Sequence, residues 1–347
     1  MSSIFRRLFA FAAVLAGVCA SCTQHERLEP ARSDFTPRAP RSTLRAGASP
    51  IGAAVRSGGC GVAGKQTGDF HLSTRDGNGV ARDFEILVPA SYSPSTPLAV
   101  SFVFHGGGAT SADAKAFGLQ DAAGASSASI FVFPQGINGG WDDTCSGYDM
   151  PFFDNMLATL EANYCLDTTR VFVAGFSWGG DQVTALACCR GDRIRGIAAA
   201  SCSDEFANPA SYQSYKDLPC PVSNAPAIRF THATDGDPAL PSPLFASTSA
   251  LYRSFEGCTA TATATSPSPC LAYAGCKHPF VECAYPALGH SLPQDWGQDS
   301  WAFFTGLSAV SSPTPVPALT LPILGGLGLL LLMAALIALR AKKDEPA

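Results

Sequence analysis

Arg170-Val-Phe-Val-Ala-Gly175-Phe176-Ser177-Trp178-Gly179-Gly180 decides how the chain is read. Its first half is an unbroken apolar run after one arginine, the pattern of a strand covered on both faces. Next comes G-x-S-x-G, and then a helix-length segment. Flanking glycines let strand and helix approach closely, and the central serine is held on a tight, exposed turn. The pentapeptide alone is a weak signal. Its placement between a strand and a helix gives it weight.

Outward from this turn, short apolar runs alternate with helix-length segments. Strands are expected at residues 84–88, 98–104, 130–133, 170–174, 194–200, 227–231 and 280–285, and helices at 152–164, 178–189, 245–255 and 299–307. Phe153, Met156, Leu157, Leu160 and Tyr164 recur at three- and four-residue steps and form one buried stripe. Alternation of strand and helix predicts an α/β fold, a mostly parallel central sheet with helices on both faces. Residues 259–269 (TATATATSPSP) have low complexity and are expected to form a surface loop.

The whole chain has 347 residues, 23 Lys and Arg against 28 Asp and Glu, and is 46% hydrophobic. That apolar content excludes a disordered chain, and the few basic residues argue against a nucleic-acid partner. Thirteen cysteines without zinc-type spacing point to disulfides formed in an oxidising compartment. Residues 1–22 have the basic start, apolar run and small residues of an export signal. Its end reads either as a lipidated Cys22 or as simple cleavage after Ala20 or Ser21. Residues 23–58 carry prolines and arginines without apolar period and read as a flexible spacer. The domain then runs over 59–307, followed by a Ser/Pro linker at 308–317. The uncharged segment 318–339 would form a hydrophobic helix outside the domain, about 33 Å long against a hydrocarbon core of about 30 Å. It reads as a membrane span or sorting signal, with a basic and polar tail at 340–347.

A serine hydroxyl attacks at neutral pH only with a base to take its proton and a group to orient that base. Among the six histidines, His25 lies in the spacer, and His71 and His105 precede Ser177. His278 lies before the last strand. His232 leaves no suitably placed acid between itself and Ser177, and reads as a packed residue. His290, in Gly289-His290, follows the last strand and is the candidate base. Asp235 and Asp237 both lie just past the strand that ends near His232, and Asp237 is favoured as the acid. Leu98 to Gly108 is a strand running into His105-Gly-Gly-Gly108, where backbone N–H groups can turn toward a developing oxyanion. Gly107 and Trp178 are the expected donors. Trp141 and Trp178 are candidates to line an aromatic acyl pocket. Asp142-Asp143 lacks a third ligand, so no metal is expected. One disulfide is expected to join Cys165 to Cys188 or Cys189, and Cys258, Cys270, Cys276 and Cys283 are expected to tie down the loop before the last strand. Apart from Cys19 and Cys22, eleven cysteines remain, an odd number.

Together, several segments resemble the α/β-hydrolase esterase family that includes secreted feruloyl esterases and short polyhydroxybutyrate-depolymerase-like enzymes. They are Ser57-Gly-Gly-Cys60-Gly61, Phe102-Val-Phe-His105-Gly-Gly-Gly108, Phe133-Pro-Gln-Gly136 with Gly140-Trp141, Asp149 to Asp154, Tyr164-Cys165-Leu-Asp167, Arg170 to Gly180, and Gly289-His290. The resemblance covers residues 57–307 and neither tail. It implies an α/β-hydrolase fold and a triad of Ser177, Asp237 and His290. Family members commonly read His-Gly-Thr-x-Asp before the acid. Here the stretch is His232-Ala-Thr-Asp235-Gly-Asp237, one residue displaced, and the choice between Asp235 and Asp237 stays open.

The expected activity is that of an exported serine carboxylic-ester hydrolase, feruloyl esterase-like, which acts on phenolic esters of plant cell-wall polysaccharide. It would need no cofactor and would be a monomer. It would meet the membrane through 318–339 and an N-terminal lipid, if Cys22 carries one. The alternatives are a polyhydroxybutyrate depolymerase or oligomer esterase, and a non-catalytic surface binding protein that keeps the fold.

Overall fold

Every residue in Leu98–Phe104, Ser129–Pro134, Gly196–Ala200 and Ala227–Ala233 is buried, as central strands covered on both faces must be. In this computed structural model, residues 54–203, 226–240 and 242–307 are described. In chain order the strands are β1 (Gly68–Arg75), β2 (Ala81–Val88), β3 (Leu98–Phe104), β4 (Ser129–Pro134), β5 (Leu166–Phe176), β6 (Gly196–Ala200), β7 (Ala227–Ala233), β8 (Ala262–Ala264), β9 (Cys270–Tyr273) and β10 (Phe280–Tyr285). The helices are α1 (Ser111–Lys115), α2 (Ala125–Ala128), α3 (Asp149–Asn163), α4 (Trp178–Arg190), α5 (Ser242–Glu256) and α6 (Trp296–Gly306).

The described strands form one sheet in the order β1-β2-β4-β3-β5-β6-β7-β10-β9-β8. From β4 to β10 all neighbours are parallel. The antiparallel pairs β1–β2, β2–β4, β10–β9 and β9–β8 lie at its two ends. One core packs Phe152, Phe153 and Met156 of α3, Val183 and Leu186 of α4, and Phe245 and Tyr252 of α5 against one sheet face. On the other face, Ala114 of α1, Ala125 of α2, and Trp296, Trp301 and Phe304 of α6 cover Phe131, Phe172 and Ala198. This is the α/β-hydrolase architecture, with helices on both faces of a mostly parallel sheet.

The structure departs from the sequence reading in several places. Residues 259–269 contain β8, which pairs with β9, so this stretch is a sheet edge and not only a loop. β1, absent from the expected strands, alternates half-buried and exposed side chains along an edge. Among the described residues, Val55 and Ser57, within the stretch expected to be spacer, already bond the domain: Thr168 N–H donates to Val55 O at 2.8 Å, Ser57 N–H to Leu166 O at 2.9 Å, and the Ser57 hydroxyl to Tyr164 O at 2.6 Å.

Cys165 bonds Cys60, not Cys188 or Cys189, and Cys189 bonds Cys145. The cause is proximity. The 57–60 segment lies so close to the end of α3 that a Cβ at Gly59 would sit 2.4 Å from the Tyr164 backbone. Cys258–Cys276 and Cys270–Cys283 tie the β8–β9 region to its neighbours. No helix among the described residues is long and apolar enough to cross a membrane. The expected signal at 1–22, the helix at 318–339, its linker and the basic tail all lie outside the described residues.

Candidate active site

Ser177 stands between β5 and α4 with φ 57° and ψ −130°, a conformation rarely adopted by L-residues and often found where a side chain is held for function. The glycines around it are required by space. A Cβ at Gly175 would lie 2.3 Å from Gly179 O, and one at Gly179 would lie 2.3 Å from Phe104 O and 2.4 Å from His105 O. Strand, turn and helix therefore meet backbone to backbone. The turn is pinned where Ser177 N–H donates to Ala200 O at 2.9 Å.

His290 sits in the loop between β10 and α6. Its Nε2 is 2.8 Å from Ser177 Oγ, and its Nδ1 is 3.0 and 3.1 Å from the two Asp237 oxygens. The carboxylate accepts only, so Nδ1 carries the hydrogen and Nε2 presents a lone pair to the serine hydroxyl. Asp237 Oδ1 also accepts the Ala239 and Leu240 N–H groups, each at 2.9 Å. Burial works to raise the Asp237 carboxyl. The hydrogen bond from His290 and the Leu240 and Ala239 N–H groups outweigh it and hold the carboxyl below its ordinary value. Asp235 does another job. It accepts the N–H of Ala287, a residue at φ 54°, and so fixes the bend that leads into His290.

The His105-Gly-Gly-Gly108 segment runs beside the serine. A Cβ at Gly106 would lie 3.3 Å from Ser177 Cβ, and one at Gly107 would lie 3.1 Å from the Trp178 ring. Trp178 N–H belongs to the first turn of α4, where helix donors have no intrahelical acceptor. Neither it nor the Gly107 N–H donates to another described residue. Gly108 N–H donates to Gly139 O at 2.7 Å and ties this segment to the loop after β4.

His105 is a structural element that the motif alone did not reveal. It is fully buried; Nδ1–H donates to Gly106 O at 2.8 Å and Nε2 accepts Gly136 N–H at 3.0 Å. Burial pushes its pKa down, so the imidazole stays neutral and clamps the two loops together.

The expected substrate contact at Trp141 is corrected. Its ring is 2% exposed, packs edge-on against Phe104 at 5.0 Å, and donates Nε1–H to His105 O at 2.9 Å. It supports the glycine segment from beneath and does not line a pocket. Trp178 is 42% exposed, and its indole lies over Gly140, where a Cβ would fall 2.6 Å from the ring. The loop that carries Trp141 is anchored by Arg82, which donates to Gln135 O at 2.8 Å and pairs with Asp149. Asp149 in turn accepts Asp142 N–H at 2.6 Å. Asp142 closes a turn by accepting the Thr144 hydroxyl and Tyr148 N–H. His232 is held at the end of β7 by other partners. It stacks on Phe245 with ring centres 3.7 Å apart, and its Nε2 is 3.3 Å from Glu282.

No protein-family model matches the chain. Feruloyl esterase D of Neurospora crassa is 33% identical over 162 residues, which cover 44% of this chain and 55% of that protein. Feruloyl esterase C of Emericella nidulans is 28% identical over 240 residues, 64% of this chain and 83% of that one. The match therefore spans about half of the first relative and most of the second. Among solved structures, acetyl xylan esterase from Aspergillus awamori superposes with TM-score 0.54 at 14% identity, covering 68% of this chain and 99% of that one. That likeness concerns the fold. In sequence the chain is thus similar to these two fungal feruloyl esterases, and its mostly parallel sheet with helices on both faces has the α/β-hydrolase fold.

Proposed function

We propose that the chain is a serine carboxylic-ester hydrolase of feruloyl-esterase type, with Ser177 as nucleophile, His290 as general base and acid, and Asp237 as the group that orients His290. The carrying observation is the unbroken relay from Ser177 Oγ through His290 to Asp237, with links of 2.8 and 3.0 Å. As Ser177 attacks the ester carbonyl, His290 Nε2 takes its proton, and the imidazolium is stabilised by Asp237. Gly107 and Trp178 N–H groups receive the tetrahedral oxyanion, each donor worth roughly 3–4 kcal/mol. His290 then protonates the leaving alcohol. An acyl-enzyme remains, and a water deprotonated by His290 releases the acid.

Trp178 presents a large flat ring beside this centre, matched in shape to a phenolic acyl group. With the names of the relatives, this supports phenolic esters of cell-wall polysaccharide as substrates. The disulfides support export to an oxidising compartment. Retention at the envelope through 318–339, or a lipid on Cys22, belongs to the same proposal and is tested by mass spectrometry of the mature protein. For the activity itself, hydrolysis of methyl ferulate is compared with that of a hydroxybutyrate oligomer. Cleavage of the ferulate is expected, and cleavage of the oligomer alone would overturn the assignment.

A further inference from the structure

β7 lies between β6 and β10 and is buried along its whole length, yet its third residue is an arginine. Arg229 is 2% exposed and sits beside Ala198 of β6, on the face that α6 covers. A buried guanidinium is costly unless its donors are met, and here they are met sparsely. Nη1 donates to the Thr231 hydroxyl at 2.9 Å, two residues further along the same strand. The side chain therefore runs toward the end of β7 that leads to Asp235 and Asp237. Nη2 stands 3.6 Å from Asp299 Oδ2, in the first turn of α6, and finds no hydrogen-bond acceptor among the described residues. The hydroxyl of Tyr285, the last residue of β10, lies against the same guanidinium.

We propose that Arg229 is a positioning residue for the triad: it ties the strand that leads to the acid to both ends of the loop that carries the base. This rests on the serine-hydrolase reading and adds to it a residue that bonds none of Ser177, Asp237 and His290. The relay works only while the imidazole is held to within about 0.5 Å of its productive place. Ser177 is pinned by its N–H to Ala200 O, and Asp237 by the turn just after β7. His290 stands in the middle of residues 286–295, which join β10 to α6. On the β10 side Asp235 holds the Ala287 N–H. On the α6 side Trp296, Trp301 and Phe304 pack on the sheet. That apolar packing is non-directional; it sets how far the helix lies from the sheet and leaves its sliding free. The Arg229–Asp299 pair supplies the missing direction, and the contact with Tyr285 fixes the other end of the loop to the same guanidinium. A buried ion pair adds little stability over an apolar replacement of similar volume. Its effect is therefore felt in the placement of His290 more than in the stability of the fold.

Two variants test this. Arg229→Met keeps the apolar stem and removes the guanidinium, and Asp299→Asn keeps the size of its side chain and removes the charge of the pair. Each is compared with wild type in methyl ferulate hydrolysis, with thermal unfolding to show that it is folded. kcat is expected to fall about tenfold in Arg229→Met and by a smaller factor in Asp299→Asn. KM should stay within about twofold, because the geometry of the base is disturbed and not the binding of substrate. The low-field proton resonance of His290 Nδ1–H, bonded to Asp237, is expected to broaden or vanish in Arg229→Met. A merely structural arginine would lower the melting temperature and leave the kcat and this resonance of the folded variant as in wild type. That outcome, or a loss confined to KM, overturns the positioning role. If Arg229→Met does not fold, Asp299→Asn decides on the same criteria. A wild type that neither hydrolyses the ester nor takes a fluorophosphonate overturns the hydrolase reading, and the positioning role with it.

Discussion

Asp237→Asn keeps the size of the side chain and removes its charge. In the native site Asp237 faces His290 Nδ1 with oxygens at 3.0 and 3.1 Å, which fixes the hydrogen on Nδ1. An asparagine can turn its amide N–H toward Nδ1 and so favour the tautomer with the hydrogen on Nε2. That tautomer donates to Ser177 Oγ and cannot take its proton. The imidazolium formed during attack also loses its counter-charge. At a separation of 3.0 Å and an effective dielectric near 20, that interaction is about 5.5 kcal/mol, or about 10⁴ in rate. Asp235→Asn is the matched control. Its amide oxygen can still accept the Ala287 N–H, so the cost is at most about one hydrogen-bond increment, near 1 kcal/mol, and kcat should stay within about tenfold of wild type. Steady-state hydrolysis of methyl ferulate, with thermal unfolding to show that each variant is folded, reads the two effects. A loss in Asp235→Asn equal to or larger than that in Asp237→Asn would refute the assignment of the acid.

Trp141→Phe should leave His105 O without its buried donor, lowering stability by about 1–3 kcal/mol. It should also reduce kcat, because the Gly107 segment loses its support. Unchanged unfolding and unchanged kcat would contradict the positioning role. Removing the Cys60–Cys165 bridge by two alanines opens a link that spans 105 residues and should cost about 5 kcal/mol on the chain-entropy account. Urea unfolding measures this, and a midpoint equal to wild type would count against it. The lowered Asp237 carboxyl contributes stability that is complete above the ordinary carboxylate value. That contribution is lost as the pH falls through the lowered one. Acid unfolding of Asp237→Asn should therefore show a flatter dependence below that ordinary value than wild type, and parallel curves would refute the linkage.

β3, β4, β6 and β7 were legible because both of their faces are covered, so the sequence shows unbroken apolar runs. β1 was not, because an edge strand alternates half-buried and exposed positions and accepts polar residues there. In β8 the Thr-Ala alternation has the period of a strand, yet neither face is strongly apolar. Ser177 could be picked out because its motif is contiguous and its glycines answer to local crowding. His290 could be reached by elimination along the chain. Asp237 was favoured over Asp235, but the choice stayed open, because both lie just past the same strand, two residues apart. Their roles depend on which way each side chain turns toward a loop more than fifty residues later. Trp141 misled for a related reason. An aromatic residue in a loop near the site has the composition of a pocket wall, and only its bond to His105 O shows that the ring points inward. The pairings of Cys60 and Cys145 depend on approaches through space that spacing does not encode.

The central claim is that the Ser177 hydroxyl is activated by His290. Treating the folded, oxidised protein with a fluorophosphonate and locating the adduct by mass spectrometry tests it most directly, with Ser177→Ala as the comparison. The account predicts one adduct, on Ser177, and loss of both labelling and ester hydrolysis in the alanine variant. Labelling at another residue, no labelling of the wild type, or full hydrolysis by Ser177→Ala would contradict it.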